Sequence, residues 1–312
     1  MVQRPGSRPL PPVRLPHVMM AADRPPAEVR RLHRAAGWER VGRGAYLLTP
    51  PTEDEPHRRE RELALGRIVG VHRRLTAAHW FSHESAALLW GLPSWGRLTS
   101  THVVQRNRRG AGADPGVTWH FMTLAERDVG EASGLPVTSL ERTAVDCAAG
   151  SAALAGLVIA DGALRAGADG RLLGEVLGDL AGRRGICRAR AVLALADGGS
   201  ESPGETATRF LLLRAGFPVP QTQVCVRTSL ATYWTDLGWP EWRVAVEYDG
   251  RSKYLSDPEV LVREKRRHDA IVDEGWRLVR VTKEDLATGA LVARVLRHAP
   301  TGVVLHPRRD LA

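Results

Sequence analysis

The sequence predicts a multi-domain α/β chain: a small basic front, a mostly helical middle, and a C-terminal core ordered helix, three strands, helix, strand, helix. Three observations lead there. Of the 312 residues, 44 are Lys or Arg and 35 are Asp or Glu, and residues 1–110 hold 19 of the basic residues against 9 acids, while residues 111–312 hold 25 against 26. An excess confined to one end points to an anionic partner for that end. Gly198-Gly199-Ser200-Glu201-Ser202 reads as a flexible joint between domains. Beyond it, short runs with period two alternate with helical spacing.

The same arithmetic excludes several classes. Hydrophobic content of 43% with 25% charged residues is that of a globular chain. No stretch approaches the ~18 uninterrupted apolar residues of a membrane span. The first 20 residues carry Arg and Pro but no apolar segment of a leader type, so a cytoplasmic location is expected. Cys147, Cys187 and Cys225 form no CxxC pair and read as small core residues in a reducing compartment.

Residues 1–25, rich in Pro and Arg, read as a disordered basic arm, with Met19 or Met20 as an alternative start. Within 26–56, Ala27–Ala36 has helical spacing and Gly37 closes it; Trp38–Leu48 then reads as two strands around Gly42-Arg43-Gly44. A basic helix followed by a basic hairpin is the outline of a winged helix. It places Arg30, Arg31, Arg34, Arg40 and Arg43 on one small module, where they can neutralise phosphates. Residues 57–198 form the middle region. Ser82 is positioned to cap a helix ending at Trp90-Gly91. Thr101–Arg106, Val117–Phe121 and Leu135–Val137 are extended, Ser139 starts another helix, and 151–198 reads as two or three helices. His79, His83, His102 and His120 are scattered and show no metal-ligand spacing.

In 199–312, Ser202 caps a helix from Pro203, with Glu205 at the capping-box position and Arg209 within reach of Glu205 at i+4. Thr222–Thr228, Tyr233–Gly238 and Arg243–Asp249 are strands. A charged helix spans 257–274, Trp276–Val281 is a fourth strand, and Thr282 caps the last helix. Side chains alternate along a strand, so Glu247 and Asp249 share one face while Val244, Val246 and Tyr248 take the other. A hairpin through Trp239-Pro240-Glu241 brings Asp236 beside Glu247. Carboxylates gathered at one point call for a divalent cation, a shared proton or nearby bases. Oxygen ligands favour a hard ion such as Mg²⁺. The ordinary alternatives are acidic strand ends, a turn at Asp249-Gly250 and a purely capping Glu205. Trp239 and Trp242 are open to base stacking or core packing, whereas Trp276 reads as core.

The set Glu205…Arg209, Ala215-Gly216-Phe217-Pro218, Asp236…Trp239-Pro240, Val246-Glu247-Tyr248-Asp249-Gly250 and Gly275-Trp276 resembles the very-short-patch-repair (Vsr-like) endonuclease-related family of the PD-(D/E)XK superfamily, over about residues 202–290. The resemblance implies a restriction-endonuclease-like core, Asp236 and Glu247 as Mg²⁺ ligands and Glu205 as an auxiliary acid. That superfamily has Lys two residues after the second acid. Here Asp249 stands in its place, and Lys253, one of three lysines in the chain, reads either as a substitute cation reaching over from the following loop or as a solvated surface lysine. Arg263 and Arg267 share a helix face suited to phosphate contact or to pairing with neighbouring acids.

The front and middle are similar to AbiE-type (AbiEi) antitoxins through Gly37-Trp38…Gly42-Arg43-Gly44-Ala45-Tyr46, Ser82-His83-Glu84-Ser85-Ala86-Ala87…Trp90-Gly91-Leu92-Pro93 and Gly134-Leu135-Pro136-Val137-Thr138-Ser139…Arg142-Thr143…Asp146. Together the resemblances imply a DNA-binding protein with a Mg²⁺-dependent endonuclease-like C-terminal domain. The alternative is an antitoxin or transcriptional repressor with an inactive nuclease-like domain. Double-stranded DNA and a toxin are the partners they suggest, with no membrane association.

Overall fold

In the computed structural model, residues 10–34, 37–48, 56–107, 114–250 and 258–311 are described. They form a mixed α/β structure with three sheets. The front sheet is β1 (Val18–Met20), β2 (Trp38–Gly42) and β3 (Ala45–Leu48), with helix α1 (Pro26–Arg34) between β1 and β2. Its order is β1-β3-β2, all antiparallel. The expected disordered arm is therefore corrected: Val18, Met19 and Met20 are buried, paired with Leu47, Tyr46 and Ala45. Three consecutive apolar residues gain more from closing this sheet than the surrounding prolines cost, because those prolines sit before the strand. Helix α2 (Pro56–Arg74) covers the sheet through Leu63 and Val69, which pack on Val18, Met20, Val41, Ala45 and Leu47, while its Ala64, Leu65, Ile68 and Val71 join the core of the middle region. Gly70 makes the approach possible, since a Cβ there would lie 2.7 Å from that of Ala45.

The middle region is less helical than expected. It contains β4 (Trp80–Phe81), α3 (His83–Leu89), β5 (Thr101–Gln105), β6 (Val117–Phe121), β7 (Val129–Ala132) and β8 (Leu135–Thr138), in a five-stranded sheet ordered β6-β5-β4-β8-β7. Short β4 and β7 are invisible to periodicity because two to four residues carry too little alternation. Helices α4 (Leu140–Gly150), α5 (Ala153–Arg165), α6 (Gly170–Asp179) and α7 (Ile186–Leu193) follow. Ala144, Val145, Cys147 and Ala148 of α4 pack on Leu157 and Ile159 of α5. Cys147 is buried as expected, but Cys187 is exposed.

The last part comprises α8 (Pro203–Ala215), β9 (Gln221–Arg227), β10 (Thr232–Trp239), β11 (Val244–Tyr248), α9 (Pro258–Asp273), β12 (Arg277–Val281), α10 (Lys283–Thr288) and α11 (Ala290–Leu296). The sheet order is β12-β11-β10-β9, with β11–β12 parallel and the other pairs antiparallel. Val244, Val246, Leu237, Val279 and Val281 form one core with Leu212 and Phe217. Trp239 is buried there, stacked 4.9 Å from Trp242 and donating to the Pro218 carbonyl, so it is a core residue and not a stacking platform.

The segment 198–202 is packed and not a free joint. A Cβ on Gly199 would lie 2.0 Å from Thr222 Oγ1, and Ser200 is buried. Arg209 bonds Asp161 at 2.6 and 2.8 Å, and Thr206 bonds the same carboxylate at 2.8 Å. Phe210 and Leu213 of α8 belong to the core of α4–α7. The two regions thus share a hydrophobic and ionic seam. Among the described residues, no helix is long and apolar enough to cross a membrane.

Candidate functional site

The antiparallel register of β10 and β11 pairs Leu237 with Val246 and Gly238 with Ala245, so Asp236 stands opposite Glu247. The connection turns at Pro240–Trp242 and closes through Arg243 at φ 49°. Helix α8 comes down on this pair because Gly204 has no side chain: a Cβ there would lie 2.0 Å from the Tyr248 ring. That contact sets Glu205, in the first turn of α8, over the end of β11.

Asp236 Oδ2 accepts the Tyr248 N–H at 2.7 Å. Burial, then the charges of Glu205 and Glu247, push the Asp236 carboxyl up to about 7, against the pull of the Tyr248 amide and Arg267. Glu205 is also buried, and burial raises its pKa. Its amide bonds Ser202 Oγ at 3.2 Å, but its carboxylate accepts the Glu201 N–H at 2.8 Å, so only half of the expected capping box forms. The expected Glu205–Arg209 pair does not form, because Asp161 claims Arg209.

Glu247 is held by Arg267, whose Nη1 lies 3.1 Å from Oε2 and whose Nη2 bonds Oε1. Arg267 also bonds the Trp234 carbonyl at 3.1 Å and lies 5.8 Å from the Tyr233 ring centroid. Burial opposes the charge of Arg267, but the bond to Glu247 and the charges of Glu247, Glu264 and Asp236 raise its pKa. Arg267 is therefore an internal counter-ion, and its expected phosphate-facing partner Arg263 is exposed without it. Asp249 follows β11, its amide bonded to the Val281 carbonyl at 2.8 Å. Its charge helps raise the Tyr248 hydroxyl pKa, after burial and Glu284. Lys253 lies outside the described residues. Asp236, Glu247 and Glu205 do not bring one oxygen each within 4.8 Å of one another. Asp236 and Glu247 form an opposed carboxylate pair in which burial, with Glu205 and Glu247 adding to it, raises Asp236 while Arg267 compensates Glu247.

At the front, Arg30, Arg31 and Arg34 of α1 and Arg40 and Arg43 of the hairpin are all exposed. Their heads remain available to an anion, although Arg40 Nε also bonds the Gly42 carbonyl at 3.2 Å.

The histidines require a correction. His83, His102 and His120, scattered in sequence, bring one ring nitrogen each within 4.8 Å of one another, the one such metal-capable group among the described residues. Strands β5 and β6 are parallel with Val104 opposite His120, so His102 and His120 sit diagonally on one sheet face. His102 Nδ1 is 3.1 Å from His120 Nε2. The His83 ring stacks 4.1 Å from His120 and 5.0 Å from His102. Ser82 occupies the N-cap position, but its Oγ bonds His83 Nδ1 at 3.0 Å and caps no backbone amide. Burial, then His102, lowers His83 to about 4; burial, then His83 and His102, lowers His120 to about 4. The positive charges repel, and burial outweighs the attraction of Glu84 and Asp146. His79 instead bonds His72 at 3.0 Å. The signal in the sequence is a His in each of two alternating strands; the parallel pairing that joins them is not written in either one.

A 120-residue stretch is 34% identical to the uncharacterized proteins MT2308 and Rv2248 from two strains of Mycobacterium tuberculosis. It covers 38% of this chain and 44% of each relative, so the chain spans less than half the length of these curated relatives. No family model matches the chain, and no solved structure matches it.

Proposed function

We propose that the protein binds DNA through its basic front and hydrolyses phosphodiester bonds at Asp236 and Glu247. The observation that supports this best is the opposed Asp236–Glu247 pair on a helix–three strands–helix–strand unit, with the Asp236 carboxyl pushed up to about 7. Mg²⁺, when bound, supplies a Lewis acid that neutralises phosphate charge and activates water. Asp236 and Glu247 would hold it, and Glu205 adds a third negative charge to the site. Arg267, bonded to Glu247 and to the Trp234 carbonyl, keeps a positive charge beside the site that would favour a phosphate there. The β1-β3-β2 sheet with α1 before its hairpin is consistent with a winged helix, and its exposed arginines supply sequence-independent affinity. Supercoiled and linear DNA incubated with and without Mg²⁺ test the proposal. Mg²⁺-dependent cleavage, lost in Asp236→Asn, is the expected result; no cleavage of either substrate overturns it.

One observation favours a second reading. Arg267 already neutralises Glu247, and Asp249 stands where a catalytic lysine is expected. A repressor or antitoxin with a silent nuclease-like half, working in the cytosol with a toxin partner, has these features. Salt-sensitive DNA binding without cleavage at any Mg²⁺ concentration selects this reading.

A further inference from the structure

We propose that His83, His102 and His120 form a binding site for a divalent transition-metal ion of the zinc class, with a fourth position open to water. The inference rests on geometry in the middle region and is independent of the carboxylate pair.

Imidazole nitrogens suit Zn²⁺, Cu²⁺, Ni²⁺ and Fe²⁺, whereas Mg²⁺ prefers oxygen. A tetrahedral ion with Zn–N bonds of about 2.0–2.1 Å sets its ligand nitrogens about 3.3 Å apart. His102 Nδ1 and His120 Nε2 are 3.1 Å apart, so this edge needs to open by only about 0.2 Å. That assignment leaves His102 Nε2 to carry the proton, and Glu84 Oε2 lies 3.5 Å from it. Glu84 Oε2 is buried and has no hydrogen-bond partner, while Oε1 is fixed by the Ser151 hydroxyl. A carboxylate behind a ligating histidine fixes its tautomer and strengthens its donation.

His83 is the movable ligand. Its Nδ1 is engaged by Ser82, which leaves Nε2. The ring lies 13° from parallel to that of His120, so its lone pair points beside and not toward the shared edge. Ion capture turns the His83 ring about its Cβ–Cγ bond and out of the stack. The backbone there is unusual, with φ 51° at a residue other than glycine. Such strain persists where the surroundings impose it and clusters at functional sites. Three ligands plus an open place is the pattern of a reactive and not a purely structural ion. A cavity of about 110 Å³, lined by Glu84, Ser94, Trp95, Leu98, Ser100 and His102, adjoins the site on the His102–Glu84 side.

The test uses the full chain stripped with EDTA and kept in excess Mg²⁺, so that oxygen sites are silent. Co²⁺ is titrated in and then displaced with Zn²⁺. The expected result is one Co²⁺ per chain, with the intense visible bands of a tetrahedral nitrogen-rich site, and loss of those bands on adding one equivalent of Zn²⁺. Glu84→Gln should keep the bands and weaken Zn²⁺ affinity by about 10–100-fold. The His102→Gln/His120→Gln variant should lose binding, whereas His72→Gln should not. Weak octahedral bands or no saturable uptake by the wild-type chain overturns the proposal, whatever the variants do. Unchanged binding in the double variant, with a native far-ultraviolet spectrum, also overturns it.

Discussion

Asp236→Asn separates the electrostatic reading of the carboxylate site from any question of catalysis. In the fold the Asp236 carboxyl is pushed from 3.8 to about 7. The folded chain therefore holds a proton that the unfolded chain releases between these values, and stability falls as pH rises through that window. Below pH 4 both states are protonated and the penalty vanishes; above pH 7 it is complete. A window about three pH units wide, at ~1.36 kcal/mol for each, corresponds to about 4 kcal/mol, an upper value because Glu205 and Glu247 relax when their neighbour gains its charge. Asparagine keeps an acceptor for the Tyr248 amide but cannot ionise. Whatever fixed offset the amide introduces is the same at every pH. The decisive quantity is thus the change in the variant's stability relative to wild type between pH 4 and pH 8, which should favour the variant by several kcal/mol. Urea unfolding in EDTA, followed by the summed fluorescence of the nine tryptophans, measures it. A difference that does not vary with pH refutes the reasoning. Adding Mg²⁺ at pH 8 should then stabilise the wild type and leave the variant unmoved.

Three further outcomes follow from the packing and the charge. Arg209→Ala strands Asp161, in a pair whose side chains are only 1% and 2% exposed, and should cost about 3–5 kcal/mol by thermal or urea unfolding. Gly204→Ala places a methyl in the Tyr248 ring, and should cost about 1–3 kcal/mol while weakening Mg²⁺-dependent stabilisation through the displaced Glu205. Replacing Arg30, Arg31 and Arg34 together by Ala should reduce the slope of log affinity against log salt by about 0.9 for each phosphate no longer neutralised, read by fluorescence anisotropy on duplex DNA.

Legibility in the sequence tracks how local the cause is. The order α8 to α10 is readable because β11 opens on an apolar run and because Ser202, Thr282 and Gly216 mark helix ends within one turn. The opposition of Asp236 and Glu247 is readable for the same reason: a short hairpin sets its own register. Arg267 is a different case. Its spacing from Arg263 suggests a shared phosphate face, yet a carboxylate 20 residues earlier captures it, since a half-buried Glu247 has lost part of its hydration and is stabilised by a cation. The Asp161–Arg209 bond, 48 residues apart, overrides both the local pair with Glu205 and the apparent joint at 198–202. Glycine and serine there mark close packing against Thr222, not freedom. Short strands such as β4 take their state from neighbours and escape the sequence, whereas β5, β6 and β8 are legible as extended runs.

The two candidate sites fail and succeed in opposite ways as sequence signals. Asp236 and Glu247 sit on consecutive antiparallel strands, so their meeting is encoded within about a dozen residues. His102 and His120 sit on parallel strands, and parallel pairing needs a crossover whose geometry neither strand records. His83 reaches them from the start of α3 through a left-handed residue that no periodicity announces. The proposed nitrogen site is assembled by topology and the proposed oxygen site by a hairpin, and the different metal preferences of imidazole and carboxylate would make the two separable in one sample. Under the two proposals Mg²⁺ would occupy the carboxylates and not the imidazoles, so Co²⁺ uptake that persists in Asp236→Asn assigns the histidine centre alone, and uptake lost in that variant would place the ion at the carboxylates instead.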